Sequence, residues 1–185
     1  MNKIFLYLFL FLLFCFHNLS AADEKEDIIN KFKNINSLKF NFQQITNEVI
    51  ETGHCELVFP NKLKCNYNDK NQKELIINNS RLAITQKRYN KTFYYSVKKS
   101  PFLKILNKNQ LNKLIEESVL KNINSQIHLI NLSENEEKIL IIFDEKNFNL
   151  IGWKINDQFK NSVTFLIEII STNESFDLKK FEIKY

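Results

Sequence analysis

Few side chains of this sequence have types and spacings suited to catalysis. Beyond the first 22 residues its histidines are His54 and His128, which are far apart in the chain and lie in predicted strands. A lone histidine on a strand is more often a surface or structural residue than a metal ligand. No Gly-x-Ser-x-Gly, Cys-x-x-Cys or His-Glu-x-x-His motif occurs. The sequence therefore predicts a protein that is not an enzyme and that uses no cofactor or metal.

Cys55 and Cys65 are the other reactive pair, and they flank Pro60 in a predicted hairpin. If the turn centres on that proline, the two cysteines lie opposite or nearly opposite each other on one face. Cross-strand neighbours have Cβ atoms close enough for a disulfide. An even pair in an exported chain favours such a bond, and two buried free thiols are the alternative.

The N-terminal segment indicates export. Lys3 precedes an unbroken apolar run from Ile4 to Phe16, and Ser20-Ala21-Ala22 fits a cleavage pattern. The run is shorter than the roughly 20 residues that a membrane-spanning helix needs. We predict a cleaved signal peptide at 1–22, a single domain at 23–185 and a periplasmic location; a membrane anchor is the alternative.

Charge gives a weaker indication of the partner. The net charge is +5, which favours an anionic membrane surface or an acidic partner, while an ordinary solvated surface is the other interpretation. No basic run interleaved with aromatic residues stands out at this level, so we expect no nucleic-acid partner.

The elements that must position these residues are mostly strands. The chain has only two glycines and two prolines, so asparagine is expected to form many of the turns. A first helix is predicted at 24–36. Alternating apolar and polar residues predict strands at 38–42, 53–59, 63–67, 74–77, 81–87, 92–97, 126–132, 138–144, 149–156 and 162–170, with a last short strand around 181–185.

Two further helices are predicted between these strands. Ser100 and Pro101 suit the start of a short helix. Asn109 is expected to cap the next helix, whose apolar stripe is predicted to be Leu111, Leu114, Ile115 and Val119.

The hairpin around Pro60 has one strongly apolar face. Cys55, Leu57 and Phe59 share a face of its first arm, and Leu63, Cys65 and Tyr67 share a face of its second. On an exported protein this pattern favours binding of something apolar. A filled hydrophobic core is the alternative interpretation.

The order of several short motifs resembles the periplasmic outer-membrane lipoprotein carrier family of the LolA type. The matching segments are 40–44, Gly53, 60–64 with Tyr67, 82–89, 100–103 with Leu106, and 177–183. This resemblance covers most of the predicted mature chain. It implies an α+β fold: an unclosed antiparallel β-barrel, or half-barrel, with a lid of short α-helices over an apolar cavity.

The resemblance also implies a function and partners. A carrier of this family would take the acyl chains of lipoproteins from an inner-membrane lipoprotein-release transporter to an outer-membrane lipoprotein receptor, acting as a monomer. Two alternatives stay open. One is a lipid-binding or receptor protein of the same fold for a different lipid, and the other is a non-catalytic sensor or interaction domain with a filled core.

The residues expected to line the cavity are apolar side chains of the strands and of the lid. They are Phe40, Phe42, Leu57, Phe59, Leu63, Tyr67, Phe93, Tyr95, Phe102, Leu103 and Leu106, with Trp153 as an addition. One position departs from the family pattern. Where the family has an arginine that helps to hold the lid closed by hydrogen bonding, this chain has Phe59, so the Phe59 ring is expected to face the lid and to hold it by apolar contact.

Overall fold

The computed structural model describes residues 21–132, 138–156 and 161–184. The predicted signal peptide lies almost entirely outside the described residues, so its cleavage stays a prediction. No helix in the described ranges is both long enough and apolar enough to cross a membrane.

Eleven antiparallel strands form a single sheet in the described chain, in the order β6-β5-β4-β3-β2-β1-β11-β10-β9-β8-β7. Their bounds are β1 Ser37–Thr46, β2 Val49–Val58, β3 Lys62–Tyr67, β4 Lys73–Asn78, β5 Arg81–Gln86, β6 Lys91–Ser96, β7 Val119–Ile123, β8 Gln126–Leu132, β9 Lys138–Asp144, β10 Leu150–Asn156 and β11 Ser162–Thr172. The first and last strands pair in the middle of the sheet, while β6 and β7 remain as its two edges. The sheet is therefore not closed, as predicted for the half-barrel.

The helices lie on the concave side of this sheet. A helix α1 covers 21–33, followed later in the chain by α2 Phe102–Ile105 and α3 Lys108–Glu117. α2 and α3 belong to the segment that joins the two edge strands, so the chain crosses the open side of the half-barrel there. The apolar side chains of these helices and of the concave sheet face form one buried core.

Local hydrogen bonds explain where the structure departs from the predicted helices. The side chain of Asn107, and not that of Asn109, caps α3 by accepting hydrogen bonds from the backbone N–H groups of Asn109 and Gln110. The helix ends at Glu117, and the hydroxyl of the next residue, Ser118, donates to the Leu114 carbonyl at 2.5 Å. Val119 is therefore outside the helical stripe: it begins β7, a strand that was not predicted, and is 59% exposed.

The predicted last strand is also wrong. Residues Leu178–Phe181 form a 3₁₀ turn instead. The carboxylate of Asp177 accepts a hydrogen bond from the Lys179 N–H and so starts this turn, which buries Phe181 completely. The tail thus packs through one aromatic side chain and not through strand pairing.

Asparagine supplies turns as expected. Several turns of the sheet place an asparagine at positive φ, a backbone region that asparagine tolerates better than most residues. These are Asn47, Asn61, Asn79, Asn90, Asn124 and Asn173.

Candidate functional site

A small apolar cavity lies beneath α2, between the half of the sheet formed by β1–β6 and the half formed by β7–β11. Its volume is about 140 Å³. The lining residues come from five strands and from the lid: Gln44, Leu63, Cys65, Tyr67, Leu75, Phe102, Trp153, Ile155, Val163 and Phe165. A larger depression of about 660 Å³ lies beside α1, but Lys25, Glu26 and Glu116 line it. We take the smaller, apolar cavity as the candidate site because its lining suits a hydrocarbon ligand.

Four aromatic rings follow one another from the sheet to the lid, three of them lining the cavity, and we call the four the aromatic column. Phe42 stacks on Phe165 with ring centroids 4.7 Å apart, and Phe165 stacks on Trp153 at 4.9 Å. Trp153 in turn meets the ring of Phe102 at 5.4 Å. Three of the rings stand on the central strands, whereas Phe102 stands on a helix of four residues. The last ring of the column, that of Phe102, therefore stands on the shortest of the elements that carry the column.

Tyr67 supplies the polar edge of the cavity. Its hydroxyl donates a hydrogen bond to the Gln44 side-chain oxygen at 2.7 Å, and its ring meets Phe42 edge-on at 4.9 Å. Burial raises the pKa of the Tyr67 phenol, and the charges of Glu51 and Asp69 raise it further. The phenol is thus a neutral donor already engaged with Gln44, which suits a wall and not a nucleophile.

The two cysteines stand directly opposite each other in the pairing of β2 with β3. The structure joins Cys55 to Cys65 by a disulfide, and both residues are buried. Cys65 also lines the cavity, so the bond braces its wall. Formation of the bond in the exported protein stays a prediction.

The structure brings together some of the predicted lining residues and not others. Leu63, Tyr67 and Phe102 line the cavity, as does Trp153. Others are buried in the core around it without lining it: Phe40, Phe42, Leu57 and Leu106. Leu103 of the lid is partly buried against the same core.

Phe93 and Tyr95 do not reach the cavity. They lie on β6, at the edge of the sheet, and are 45% and 42% exposed. Their register with Ile84 and Leu82 places them on the same face as the cavity wall, but the lid helices leave this end of the face uncovered. The alternation of apolar and polar residues predicted correctly which face of the sheet carries Phe93 and Tyr95. It could not predict how much of that face the lid covers.

Phe59 does not line the cavity either. It is partly buried against the core, and the ammonium of Lys108 lies 5.7 Å from its ring centroid. The lid is tied to the hairpin at a neighbouring point, where the Asn61 N–H donates to the Leu106 carbonyl at 2.9 Å. The Phe59 ring therefore meets the start of α3, and a backbone hydrogen bond holds the end of α2 to the hairpin.

An open antiparallel sheet with a short helical lid over an apolar cavity is the arrangement that the sequence resemblance implied. The sequence model of the family described as outer membrane lipoprotein carrier protein LolA matches residues 33–184. This chain belongs to the LolA family. No curated protein sequence matches it significantly.

Solved structures share the fold of this LolA-family chain at low sequence identity. Lipoprotein LppX from Mycobacterium tuberculosis is 10% identical, with a TM-score of 0.50 over 85% of this chain and 97% of that one. An uncharacterized conserved protein from Thermus thermophilus is 7% identical, with a TM-score of 0.50 over 88% of this chain and 94% of that one. A LolA superfamily protein from Nitrosomonas europaea is 6% identical, with a TM-score of 0.44 over 88% and 97%. At these identities the first two similarities support the fold alone.

Apart from Trp153, the sequence analysis of this LolA-family chain missed the part of the cavity wall that lies on β10 and β11. Val163 and Phe165 line the cavity from β11, and Ile155 lines it from β10. The signal was present, because Val163, Phe165, Ile167 and Ile169 recur with the period of two that places them on one face. Ile167 and Ile169 pack against the same core.

Proposed function

We propose that this LolA-family protein is a periplasmic carrier that holds the acyl chains of lipoproteins on its concave face. It would receive them from an inner-membrane lipoprotein-release transporter and deliver them to an outer-membrane lipoprotein receptor. The observation that carries this proposal is the apolar cavity whose cover is one aromatic side chain, Phe102, on the four-residue helix α2.

The size of the cavity fits a closed state of such a carrier. Its volume of about 140 Å³ is below the roughly 300–1,000 Å³ of typical ligand pockets. An acyl chain can enter only if a wall moves. Phe102 is the part of the wall that can move, because it is only partly buried. Its contact within the aromatic column is with the ring of Trp153, at a centroid distance of 5.4 Å.

The energies permit this exchange of a ring for an acyl chain. An aromatic pair adds about 0.5–1.5 kcal/mol beyond its area burial. Exposing the ring gives up, in addition, at most the roughly 1.5–3 kcal/mol that full burial of a phenylalanine contributes, and each methylene removed from water gains about 0.8 kcal/mol, so about six methylenes outweigh both losses. Cargo can therefore displace Phe102 from Trp153 without a further source of free energy.

The single tryptophan of the chain provides a direct test. Trp153 lines the cavity and is 3% exposed. A fatty acid brominated along its chain should quench Trp153 fluorescence in a saturable way when added to the exported protein, because bromine quenches indole only at close range. A short brominated carboxylic acid, which has too little hydrocarbon to open the lid, is the control. Absence of saturable quenching by the long chain in folded protein would overturn the proposal of an acyl-binding cavity.

A transfer assay separates the lipoprotein carrier from a binder of another lipid. Labelled lipoprotein released from inner-membrane preparations should form a soluble complex with the protein and then pass to outer-membrane preparations. A protein that shows acyl quenching but accepts no lipoprotein would be a lipid-binding protein of the same fold.

Truncating the lid ring should strengthen binding. In Phe102→Ala the ring no longer competes with cargo for the face of Trp153, so we expect about tenfold tighter acyl binding, equivalent to about 1.4 kcal/mol. Release to an acceptor should slow in the same proportion. Titration of Trp153 quenching measures the affinity, and Lys104→Ala on the same helix is the matched control. Weaker binding by Phe102→Ala would show that the ring belongs to the binding wall and does not compete with cargo.

The small volume of the cavity favours one other function, that of an interaction domain with a filled core. Such a protein would bind a partner through its surface and would take up no lipid. It would show neither quenching by the brominated chain nor any gain in affinity from Phe102→Ala.

A further inference from the structure

Positive charge is concentrated in one continuous stretch of this chain. Residues 75–115 contain no aspartate or glutamate and contain nine basic residues: Arg81, Lys87, Arg88, Lys91, Lys98, Lys99, Lys104, Lys108 and Lys113. The whole chain has a net charge of +5, so the remaining residues together are net negative. The modest net charge of the whole chain therefore conceals an uneven distribution, with the positive charge concentrated in residues 75–115.

The fold gathers this stretch at one edge of the half-barrel and over its opening. It comprises the end of β4, all of β5, a 3₁₀ turn Lys87–Tyr89, the edge strand β6, the lid helix α2 and α3 without its last two residues, Glu116 and Glu117. Four of its cations on or beside β6 are exposed: Arg88, Lys91, Lys98 and Lys99. Among the described residues no carboxylate forms an ion pair with any of these four.

Other cations of the stretch are already engaged. Lys87 pairs with Glu74 at 2.7 Å, and Lys108 donates to the Lys33 carbonyl and to the Asn36 side chain. Lys113 lies 3.6 Å from Glu117 on the surface of α3. The cations available to a partner are thus those that surround the edge strand and not those of α3.

Large aromatic rings stand exposed among these cations. Tyr89 is 54% exposed, Phe93 is 45% exposed and Tyr95 is 42% exposed. We call these three rings together with Arg88, Lys91, Lys98 and Lys99 the β6 edge surface. The segment 87–99 does interleave basic and aromatic residues, which the sequence analysis passed over.

We propose that the β6 edge surface docks the protein on an anionic phospholipid bilayer. Exposed tyrosine rings settle at the depth of lipid headgroups and an exposed phenylalanine ring inserts beside them, while lysine and arginine close by are attracted to anionic headgroups. Lysines along an edge strand also discourage pairing with a strand of another protein. A lipid bilayer offers the rings an apolar interior and offers the cations anionic headgroups.

Docking in this way brings the mouth of the carrier to the membrane. The concave face carries Phe93 and Tyr95 at its uncovered end, and the lid residue Phe102 follows β6 by a short connection. The β6 edge surface lies outside the cavity, so docking does not require that the cavity accept an acyl chain. A failed quenching test and a failed docking test are therefore separate results.

Vesicle co-sedimentation of the exported protein tests the electrostatic part. Binding should be detectable with vesicles of phosphatidylcholine and phosphatidylglycerol and should be weak with phosphatidylcholine alone. Each basic residue near an anionic surface strengthens binding about fivefold, so Lys91→Gln/Lys98→Gln/Lys99→Gln should bind on the order of 100-fold more weakly. The matched control Lys121→Gln/Lys138→Gln/Lys154→Gln removes the same charge from exposed positions on β7, β9 and β10, in the other half of the sheet. It should bind like the wild type.

Insertion of the rings needs its own readout. Phe93→Trp places an indole at the membrane contact, and its emission should shift to the blue and be quenched by brominated phospholipid, after subtraction of the Trp153 signal of the wild type. Phe93→Ser/Tyr95→Ser should lose binding, while Val119→Ser/Ile123→Ser, which removes exposed apolar side chains from the opposite edge strand, should keep it.

Three results would overturn the docking proposal. The first is equal weakening in the control triple variant, since binding would then follow net charge alone. The second is a Phe93→Trp indole that stays unshifted on bound vesicles. The third is binding of an oligonucleotide through the same lysines in the absence of vesicle binding, which would assign the surface to nucleic acid.

Discussion

Gly53→Ala should destabilise the fold strongly. A Cβ atom at Gly53 would lie 2.1 Å from the Asn66 carbonyl oxygen and 2.7 Å from the Phe42 ring. The oxygen belongs to the backbone of the neighbouring strand, so it can move only if the pairing of β2 with β3 is disturbed. Overpacking of a core costs about 1–3 kcal/mol and occasionally more, and we expect this substitution at the upper end, about 3 kcal/mol or beyond.

Thermal unfolding followed by circular dichroism measures this effect. For a domain of this size a loss of 3 kcal/mol lowers the Tm by about 6–12 °C. Thr52→Ala, at the exposed neighbouring position, is the control and should unfold close to the wild type. A Gly53→Ala protein with wild-type stability would mean that β2 and β3 separate here without cost, and that Phe42 does not rest on this strand.

The two glycines illustrate what the sequence could and could not reveal. The chain has only these two, and at Gly152 an added Cβ would also meet backbone, 2.2 Å from the Phe165 carbonyl oxygen. Both glycines occupy positions where a side chain has no room. Positive φ angles in the turns are adopted instead by asparagines such as Asn79 and Asn90. The scarcity of glycine predicted the asparagine turns, but the close approaches depend on neighbours from distant parts of the chain.

The same distinction holds for the strands and for the site. Alternation along a strand is a local property, and it gave the faces of β2 and β3 together with the pairing of Cys55 with Cys65. Val119 shows the limit, because helical spacing continued through a position where Ser118 turns the chain into a strand. Which apolar residues line an opening depends on where the lid ends, and that is decided by contacts such as Asn61 with Leu106.

Loss of the Cys55–Cys65 bond should be the other large effect on stability. The two cysteines are ten residues apart and face each other across β2 and β3. A bridge over a loop of this length restricts the unfolded chain and contributes about 3 kcal/mol, which corresponds to a Tm shift of about 6–12 °C. The position matters for function too, because Cys65 lines the cavity.

Intact-mass analysis after alkylation, under denaturing and non-reducing conditions, shows whether export closes the bond. Protein from the periplasm should carry no alkylated cysteine. Both cysteines are at most 1% exposed, so the stability comparison requires reduction in denaturant followed by refolding. The reduced protein should unfold at the lower temperature, and Cys55→Ala/Cys65→Ala should show no response to reductant.

Two alkylated cysteines in periplasmic protein would contradict this prediction. The cavity wall at β2 and β3 would then be held by apolar packing alone, with two buried thiols in contact. In that case reductant should change neither the Tm nor the quenching of Trp153 by a brominated acyl chain, since no covalent brace would exist to remove. A shift of both on reduction would show that the bond stabilises the fold and the wall of the cavity together.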